Sequence, residues 1–264
     1  MIYLFYLFVF LIGCCVGSFL NSVIFRLQTK ESLVKNRSHC PYCKKNLSWF
    51  ELIPIISFVL QKGRCRKCKR KISWQYPLVE LATGIFFVLV FNSQSIFSFQ
   101  GLISVIFWFF VVSCLIIIFV YDLKHYIIPN EVVYPAIIIA FFYKLFNVWN
   151  FGNWNLFKIW DLGLGVLPTL FFIAIVLFSR GHWMGMGDAK LVLFIGLVLG
   201  WPKILIALFL AFLSGALISI FLIILKKKTF KSQIPFGPFL SGAAIIVIFW
   251  GDVLVNWYFS FLGI

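Results

Sequence analysis

The sequence predicts an all-α protein that crosses a membrane several times and carries a small polar domain near its N-terminus. Hydrophobic residues make up 62% of the 264 residues and charged residues 12%, whereas ordinary globular domains contain about 45–50% and about 25%. Apolar segments of about 20 residues, the length that crosses a bilayer, follow one another along most of the chain. This composition excludes a disordered chain, a secreted disulfide-rich mini-protein and an ordinary cytosolic enzyme.

The apolar segments begin at the N-terminus. Residues 1–25 carry no charge, no basic start and no small-residue cleavage site, so they predict a retained transmembrane helix and not a signal peptide. Residues 26–77 are polar, basic and rich in cysteine. Residues 78–121 predict two spans, because a polar break at 92–95 divides them. Five more spans are predicted at 132–149, 158–179, 190–201, 203–225 and 238–258. We therefore expect about eight transmembrane helices, arranged as a first helix (1–25), a polar domain (26–77) and a membrane core (78–264).

Positive charge sets the expected orientation. If the N-terminus lies outside, 20 of the 23 Lys and Arg fall in inside segments, and Lys144, Lys158 and Lys203 remain outside. This distribution follows the positive-inside rule of membrane proteins. The polar domain is therefore predicted to be cytoplasmic. Its basic residues are explained by this bias and by contact with anionic membrane lipid, so no nucleic-acid partner is expected.

Four of the seven cysteines form two Cys-x-x-Cys pairs inside the polar domain, Cys40 with Cys43 and Cys65 with Cys68, and 21 residues separate the pairs. A reducing cytosol disfavours disulfides, whereas two such pairs are typical of a tetrahedral zinc ion bound by four thiolates. A redox dithiol is the alternative, but one redox pair has no need of a matching second pair. We expect structural zinc, because four cysteines leave no coordination position open for catalysis.

Two aspartates are expected at the cytoplasmic ends of transmembrane helices. Asp122 follows the third predicted span, and Asp188 precedes the sixth within Gly185-Met186-Gly187-Asp188. Carboxylates are costly inside a membrane and usually mark function there. A close pair shares one proton, so that one carboxylate activates a water while the other protonates a carbonyl. The glycines are expected to allow close backbone approach and unusual dihedral angles. The alternative is that Asp188 caps its helix and Asp122 is an interfacial residue, and spacing alone leaves both interpretations open.

A set of short motifs resembles the bacterial type IV prepilin peptidases, which are membrane aspartyl proteases of the GxGD kind. The motifs, in chain order, are Gly17-Ser18-Phe19-Leu20-Asn21 with Arg26, the two Cys-x-x-Cys pairs, Tyr76-Pro77-Leu78-Val79-Glu80, Asp122 with Ile128-Pro129, Gly185-Met186-Gly187-Asp188-Ala189-Lys190, and Ile234-Pro235-Phe236-Gly237-Pro238. No single motif is unique to that family, but their order and spacing are specific and they extend over nearly the whole chain. One departure is Asn130, at a position where relatives commonly carry an acidic residue, and no role is assigned to it.

The resemblance implies a bifunctional enzyme of the bacterial inner membrane. Enzymes of this family cleave the leader of type IV prepilins or pseudopilins at the cytoplasmic face and then methylate the new N-terminal amine with S-adenosylmethionine. The catalytic residues would be Asp122 and Asp188. Glu80 lies within a matching motif and would serve the methylation site, or else cap its helix. Ser18, Asn21 and Arg26 would line the same site or bind lipid headgroups.

Two other classes of protein remain as alternatives. A proton-coupled transporter also uses carboxylates within the membrane, and it predicts that they lie near the bilayer midplane between related halves. A non-catalytic zinc-bearing scaffold of a secretion assembly predicts that both aspartates can be replaced without effect on processing. The sequence leaves the oligomeric state open.

Overall fold

A computed structural model of the chain describes residues 2–32, 37–94, 98–149, 156–182, 184–227, 229 and 234–261. The helices are α1 (Ile2–Thr29), α2 (Ile56–Leu60), α3 (Gln75–Ser93), α4 (Phe99–His125), α5 (Asn130–Trp149), α6 (Leu156–Phe178), α7 (Met186–Leu199), α8 (Lys203–Ile224) and α9 (Gly237–Phe261). A short 3-10 helix, Trp49–Glu51, precedes α2. Within the described ranges there is no β-strand, which confirms the all-α prediction.

Each predicted span overlaps a helix of the structure. Five of these helices, α1, α3, α4, α8 and α9, contain a stretch that is long and apolar enough to cross a membrane. The apolar part of α6, Gly163–Phe178, is shorter. Helix α7 has 14 residues and a length of about 21 Å. It begins at Met186, four residues before the predicted start, and this earlier start places Asp188 in its first turn.

The chain forms two compact units, residues 1–117 and residues 118–264, with the boundary inside α4. The domains predicted from the sequence, 1–25, 26–77 and 78–264, are divided by expected function, whereas these two units are divided by packing. The predicted domain boundaries therefore stay a prediction.

The first unit is built on close packing between α1 and α3. A Cβ added at Gly13 would lie 2.7 Å from the Cα of Gly84, and one added at Gly17 would lie 2.7 Å from the Cα of Glu80. Small residues at such crossings let two membrane helices approach backbone to backbone, where dispersion and polar contacts hold them together. The approach at Gly17 also brings the polar residues of the α1 motif beside Glu80.

The second unit is organised around α7, which packs against α5, α6, α8 and α9. Nine of its 14 residues are buried, as is expected for a helix that is apolar on all sides. Gly196 meets the backbone of Gly165 in α6, so a side chain at either position would collide with the other helix. The helix ends at Gly200, whose positive φ of 70° suits glycine. The contact with α6 and the turn at Gly200 therefore fix the C-terminal part of α7.

Candidate active site and metal centre

Asp122 lies near the C-terminal end of α4 and is only 4% exposed. Its carboxylate accepts a hydrogen bond from the backbone N–H of Gly237, the first residue of α9. The N-terminus of a helix carries a partial positive charge, so this position stabilises a carboxylate. A Cβ at Gly237 would collide with Asp122 Oδ2. Glycine is thus required at the start of α9 for the backbone to reach the carboxylate.

Asp188 occupies the first turn of α7, three residues after the N-cap Gly185. Its carboxylate accepts the backbone N–H of Gly185, which is the return half of a capping box. The alternative expectation of a helix-capping role is therefore met in part. The charge of Asp188 also interacts with that of Asp122, so the fold brings together two carboxylates that are 66 residues apart in the sequence.

Ile128, which is 8% exposed, lies beside two of the site's glycines. Its Cβ would be 3.2 Å from a Cβ added at Gly187, and its Cδ1 would be 3.3 Å from one added at Gly237. The expectation of unusual dihedral angles at the GxGD glycines is wrong. Gly185 is extended, with φ −76° and ψ 149°, and Gly187 lies within the helix. A Cβ at position 187 would make a tight contact with Ile128, which would have to shift by a few tenths of an ångström to accommodate it.

The two carboxylates thus share a single electrostatic environment. Each is held by a backbone N–H at the N-terminus of a different helix, Asp122 at α9 and Asp188 at α7. Two carboxylates whose charges interact do not both ionise readily, and close pairs of this kind can share one proton. The two helix N-termini stabilise the one negative charge that remains. Such a pair can take a proton from water with one member and donate a proton with the other.

The four cysteines of the polar domain converge on one point. Their sulfur atoms all lie within 4.8 Å of one another, and the Sγ atoms of Cys40 and Cys68 are 3.9 Å apart. Four sulfurs placed tetrahedrally around zinc at about 2.3 Å lie about 3.8 Å from each other. The residues present therefore fit a tetrahedral zinc ion, with Cys40, Cys43, Cys65 and Cys68 as the ligands.

The two Cys-x-x-Cys turns have the same backbone geometry. The N–H of Lys44 donates to the carbonyl of Cys40 at 2.9 Å, and the N–H of Lys69 donates to that of Cys65 at 3.0 Å. Lys44 and Lys69 both have positive φ, 52° and 59°. Each turn is closed by an isolated antiparallel bridge, His39 with Asn46 and Arg64 with Lys71. The sequence thus builds two matching knuckles, each of which presents two sulfurs to the same point.

The thiols of this cluster do not ionise independently. Hydrogen bonds from backbone N–H groups, that of Cys68 first, lower the pKa of Cys65 to about 6. The backbone N–H of Arg70 lowers the pKa of Cys68, but burial and the neighbouring sulfurs outweigh it and raise the value to about 11. The first thiolate therefore forms easily and a later one does not, as expected for four sulfurs that need a cation to hold their combined charge.

Within residues 37–74, only Cys40, Glu51 and Cys65 are buried. The domain thus has almost no apolar core other than its own ligand side chains. Glu51 accepts hydrogen bonds from the N–H and hydroxyl of Ser48 and an ion pair from Lys45. Burial raises the pKa of Glu51, but these hydrogen bonds outweigh burial and leave the pKa below its usual value. A small domain with so little core would depend on a bound metal for its stability.

Glu80 lies in the second turn of α3 and is 7% exposed. Its Oε2 accepts the backbone N–H of Ile55 at 2.7 Å, and the carboxylate also accepts a hydrogen bond from Ser18 of α1. Nearby, Asn21 donates to the carbonyl of Tyr76 at 3.0 Å and accepts from Gln75 Nε2 at 3.2 Å. The polar residues of the two N-terminal motifs therefore form one cluster at the paired ends of α1 and α3.

Comparisons with known proteins agree with this geometry. The model of the type IV leader peptidase family matches residues 109–220, and that of the bacterial peptidase A24 N-terminal domain matches residues 11–94. The prepilin leader peptidase/N-methyltransferase of Aeromonas hydrophila is 31% identical, with 98% of this chain and 95% of that protein covered. The protein of the same name from Bacillus subtilis (strain 168) is 30% identical, with 94% and 96% covered. The chain belongs to the type IV leader peptidase family. No solved structure matches it significantly.

Family membership confirms the resemblance drawn from the motifs, and the two family models divide the candidate sites between them. The leader peptidase match contains Asp122 and Asp188, and the N-terminal match contains the four cysteines and Glu80. Together with the apolar helices, this makes the chain an integral membrane enzyme of the peptidase family.

Two features near Asp122 and Asp188 were not predicted from the sequence. Lys190 Nζ donates to Asn130 Oδ1 at 3.0 Å and lies 4.6 Å from the ring centre of Tyr134. Asn130, to which no role was assigned from the sequence, therefore ties the first turn of α5 to the second turn of α7. No sequence signal indicates this pair, because 60 residues separate its members.

His125 is the second unforeseen residue. It closes the last turn of α4, with its ring 4.6 Å from that of Tyr121. Its Nε2 is buried and has no hydrogen-bond partner among the residues that the structure describes. The available signal was the spacing of three residues from Asp122, which places both side chains on neighbouring parts of one helix face.

Proposed function

We propose that this protein removes the leader peptide of type IV prepilins or pseudopilins and then methylates the new N-terminal amine. The observation that carries the proposal is the pair Asp122 and Asp188, two carboxylates with interacting charges, each held at a helix N-terminus. The relatives' shared name, prepilin leader peptidase/N-methyltransferase, supports both activities.

The peptidase reaction follows from the shared proton. The ionised aspartate takes a proton from a water molecule, whose oxygen attacks the carbonyl carbon of the peptide bond. The protonated aspartate donates its proton to the carbonyl oxygen. When the C–N bond breaks, the leaving nitrogen receives the proton that the first aspartate took from water. The hydroxyl formed on the former carbonyl oxygen returns its proton to the second aspartate as the carbonyl re-forms, and the starting state, with one proton on the pair, is restored. Asp122 and Asp188 exchange these roles as a unit, because coupled carboxylates titrate together.

We place the methylation site at the cluster of Ser18, Asn21, Gln75 and Glu80. S-adenosylmethionine, when bound, supplies the methyl group. The attacking amine must be neutral, so a carboxylate that accepts or orients the amine proton is required nearby. Glu80 is the buried carboxylate of this cluster. Gln75 Oε1 is a buried acceptor with no partner among the described residues, and it fits a ligand that brings an N–H donor.

The four cysteines would hold zinc in a structural role, since thiolates fill all four tetrahedral positions. We place the zinc domain (26–77) on the cytoplasmic side of the bacterial inner membrane and the N-terminal helix (1–25) with its start outside. The protease core then occupies residues 78–264. The distribution of 20 of the 23 Lys and Arg on the inside supports this orientation. A substrate with a cytoplasmic leader and a membrane-embedded helix would present its cleavage junction to a site at the cytoplasmic ends of α4 and α7.

Incubation of the purified protein with a prepilin and S-adenosylmethionine tests both activities. We expect a product that lacks the leader. Mass spectrometry of its new N-terminus should show a mass about 14 Da above that of the unmethylated mature chain, the mass of one added methylene unit. A cleaved product without the added mass would remove the methyltransferase part of the proposal. A prepilin that remains intact would remove the peptidase part.

A further inference from the structure

Helix α2 presents apolar side chains to its surroundings although it lies in the polar domain. Ile56, Val59 and Leu60 are 54%, 65% and 70% exposed. They account for three of the five residues of α2. Clustered exposed apolar side chains on an otherwise polar domain mark a contact surface. The remaining question is which partner covers it.

The hydrogen bond between Ile55 and Glu80 fixes the depth of α2. Helix α3 has 19 residues and is about 28 Å long, close to the thickness of about 30 Å of the bilayer core. Glu80 is the sixth residue of α3, about 8 Å along its axis from the first. Because Ile55 donates to Glu80 at 2.7 Å and α2 begins at the next residue, α2 lies at the edge of the apolar layer and not out in the cytoplasm.

The backbone at Ile55 is shaped for this contact. Its φ of 59° and ψ of −52° place a β-branched residue in a region that such residues rarely adopt. Strain of this kind persists where the surroundings hold it, and the bond from the Ile55 N–H to Glu80 does so here. The turn reverses the chain so that α2 starts beside α3 at membrane depth.

The charge around α2 is complementary to a membrane surface. Residues 52–79 contain seven Lys and Arg and no Asp or Glu. Basic residues next to a membrane are attracted to anionic lipid headgroups. An apolar face with a basic run beside it is typical of segments that lie in the membrane interface.

We propose that α2 inserts its apolar face into the lipid at the membrane surface, so that the zinc domain rests on the bilayer through Ile56, Val59 and Leu60. The occupant is phospholipid, with acyl chains against α2 and anionic headgroups against the adjoining basic segment. This interaction does not depend on the peptidase or methyltransferase activity. Its assignment to the cytoplasmic leaflet follows from the orientation proposed above.

Photolabelling from the lipid tests the surface directly. The full-length protein is reconstituted into liposomes that contain anionic phospholipid and a phospholipid with a photoreactive group on its acyl chain, and labelled residues are mapped by mass spectrometry. We expect labelling of residues 56–60 and none of residues 41–46 in the same domain. Exposed Phe209 and Phe221 of α8 serve as the positive control. Labelled α8 with unlabelled residues 56–60 would overturn the proposal.

Two further arms distinguish lipid from a protein partner. Leu60→Glu should reduce the labelling of this segment by about five-fold or more, because interfacial binding scales with buried apolar area, whereas Gln61→Glu adds the same charge beside it and should leave the labelling nearly unchanged. Equal labelling in the wild-type protein and Leu60→Glu would contradict insertion of this face. Labelling that disappears when a prepilin is added would instead identify α2 as a protein-docking surface and overturn the proposal.

Discussion

Replacement of one of the four clustered cysteines should unfold the polar domain, and the structure sets the size of the effect. Cys40 is 6% exposed, and Cys65, in the opposite knuckle, is also 6% exposed. Apart from Glu51, no other residue within 37–74 is buried, so a bound metal would be the main source of folding free energy there. Structural zinc supplies about 10–16 kcal/mol in small zinc domains. Loss of one of four ligands in Cys40→Ser should therefore remove roughly a quarter of this, about 3 kcal/mol, and most of the stability of so small a domain.

The assay combines metal analysis with hydrogen exchange. We expect about one zinc per chain in the wild-type protein and a clear loss in Cys40→Ser, together with fast exchange of the backbone amides in residues 37–74. Cys15→Ser is the matched control, since Cys15 is exposed and lies outside the cluster, and it should keep both zinc and protection. A Cys40→Ser protein that retains slow exchange in this segment without zinc would refute the reasoning.

Three other predictions concern single contacts. Gly237→Ala should lower prepilin cleavage at least about ten-fold by displacing the Asp122 carboxylate, whereas Gly215→Ala should be tolerated because its added Cβ meets Phe239 at an ordinary 3.5 Å; equal rates for the two variants would refute the role of that contact. Glu80→Gln should cleave prepilins but methylate them poorly, as measured by product mass, and normal methylation would remove Glu80 from the mechanism. Glu51→Gln should destabilise the zinc domain at neutral pH by about 1–3 kcal/mol. Because the folded-state pKa of Glu51 is lowered, its ionised form stabilises the domain above its unfolded pKa, and this contribution is lost as pH falls through the folded value. The difference in free energy of unfolding between wild type and Glu51→Gln, measured with denaturant, should therefore shrink in acid. A difference that stays constant with pH would contradict a stabilising role of ionised Glu51.

The sequence predicted the helices well because membrane spans are set by the length of apolar segments alone. It also predicted the convergence of Cys40, Cys43, Cys65 and Cys68, since the spacing within and between the cysteine pairs is almost sufficient to define the geometry. The start of α7 was missed by four residues, because Gly187 and Asp188 suggest a loop when judged by hydropathy. In the structure, the capping contact between Gly185 and Asp188 extends the helix through them.

Contacts between distant segments could not be predicted from the sequence. The N–H of Gly237 reaches Asp122 only because α9 begins beside the end of α4, and nothing near either residue encodes that approach. The same holds for Ile55 and Glu80, where an unusual backbone turn brings a peptide group to a buried carboxylate. The glycines at positions 187 and 237 are likewise explained by their neighbours and not by their own backbone angles. A side chain at Gly187 would press on Ile128, and one at Gly237 would press on Asp122.

The central claim is that Asp122 and Asp188 together cleave the leader peptide. Its most direct test is the cleavage rate of a prepilin by Asp122→Asn and by Asp188→Asn, each reconstituted in the same lipid as the wild-type protein. Asp252→Asn is the control, because Asp252 is 83% exposed in its side chain and pairs with Lys203. Asparagine keeps the size and most hydrogen bonds of aspartate but cannot exchange its proton. We predict no detectable cleavage by either site variant and normal cleavage by the control. Near-normal cleavage by Asp122→Asn or Asp188→Asn would contradict the paired-carboxylate mechanism.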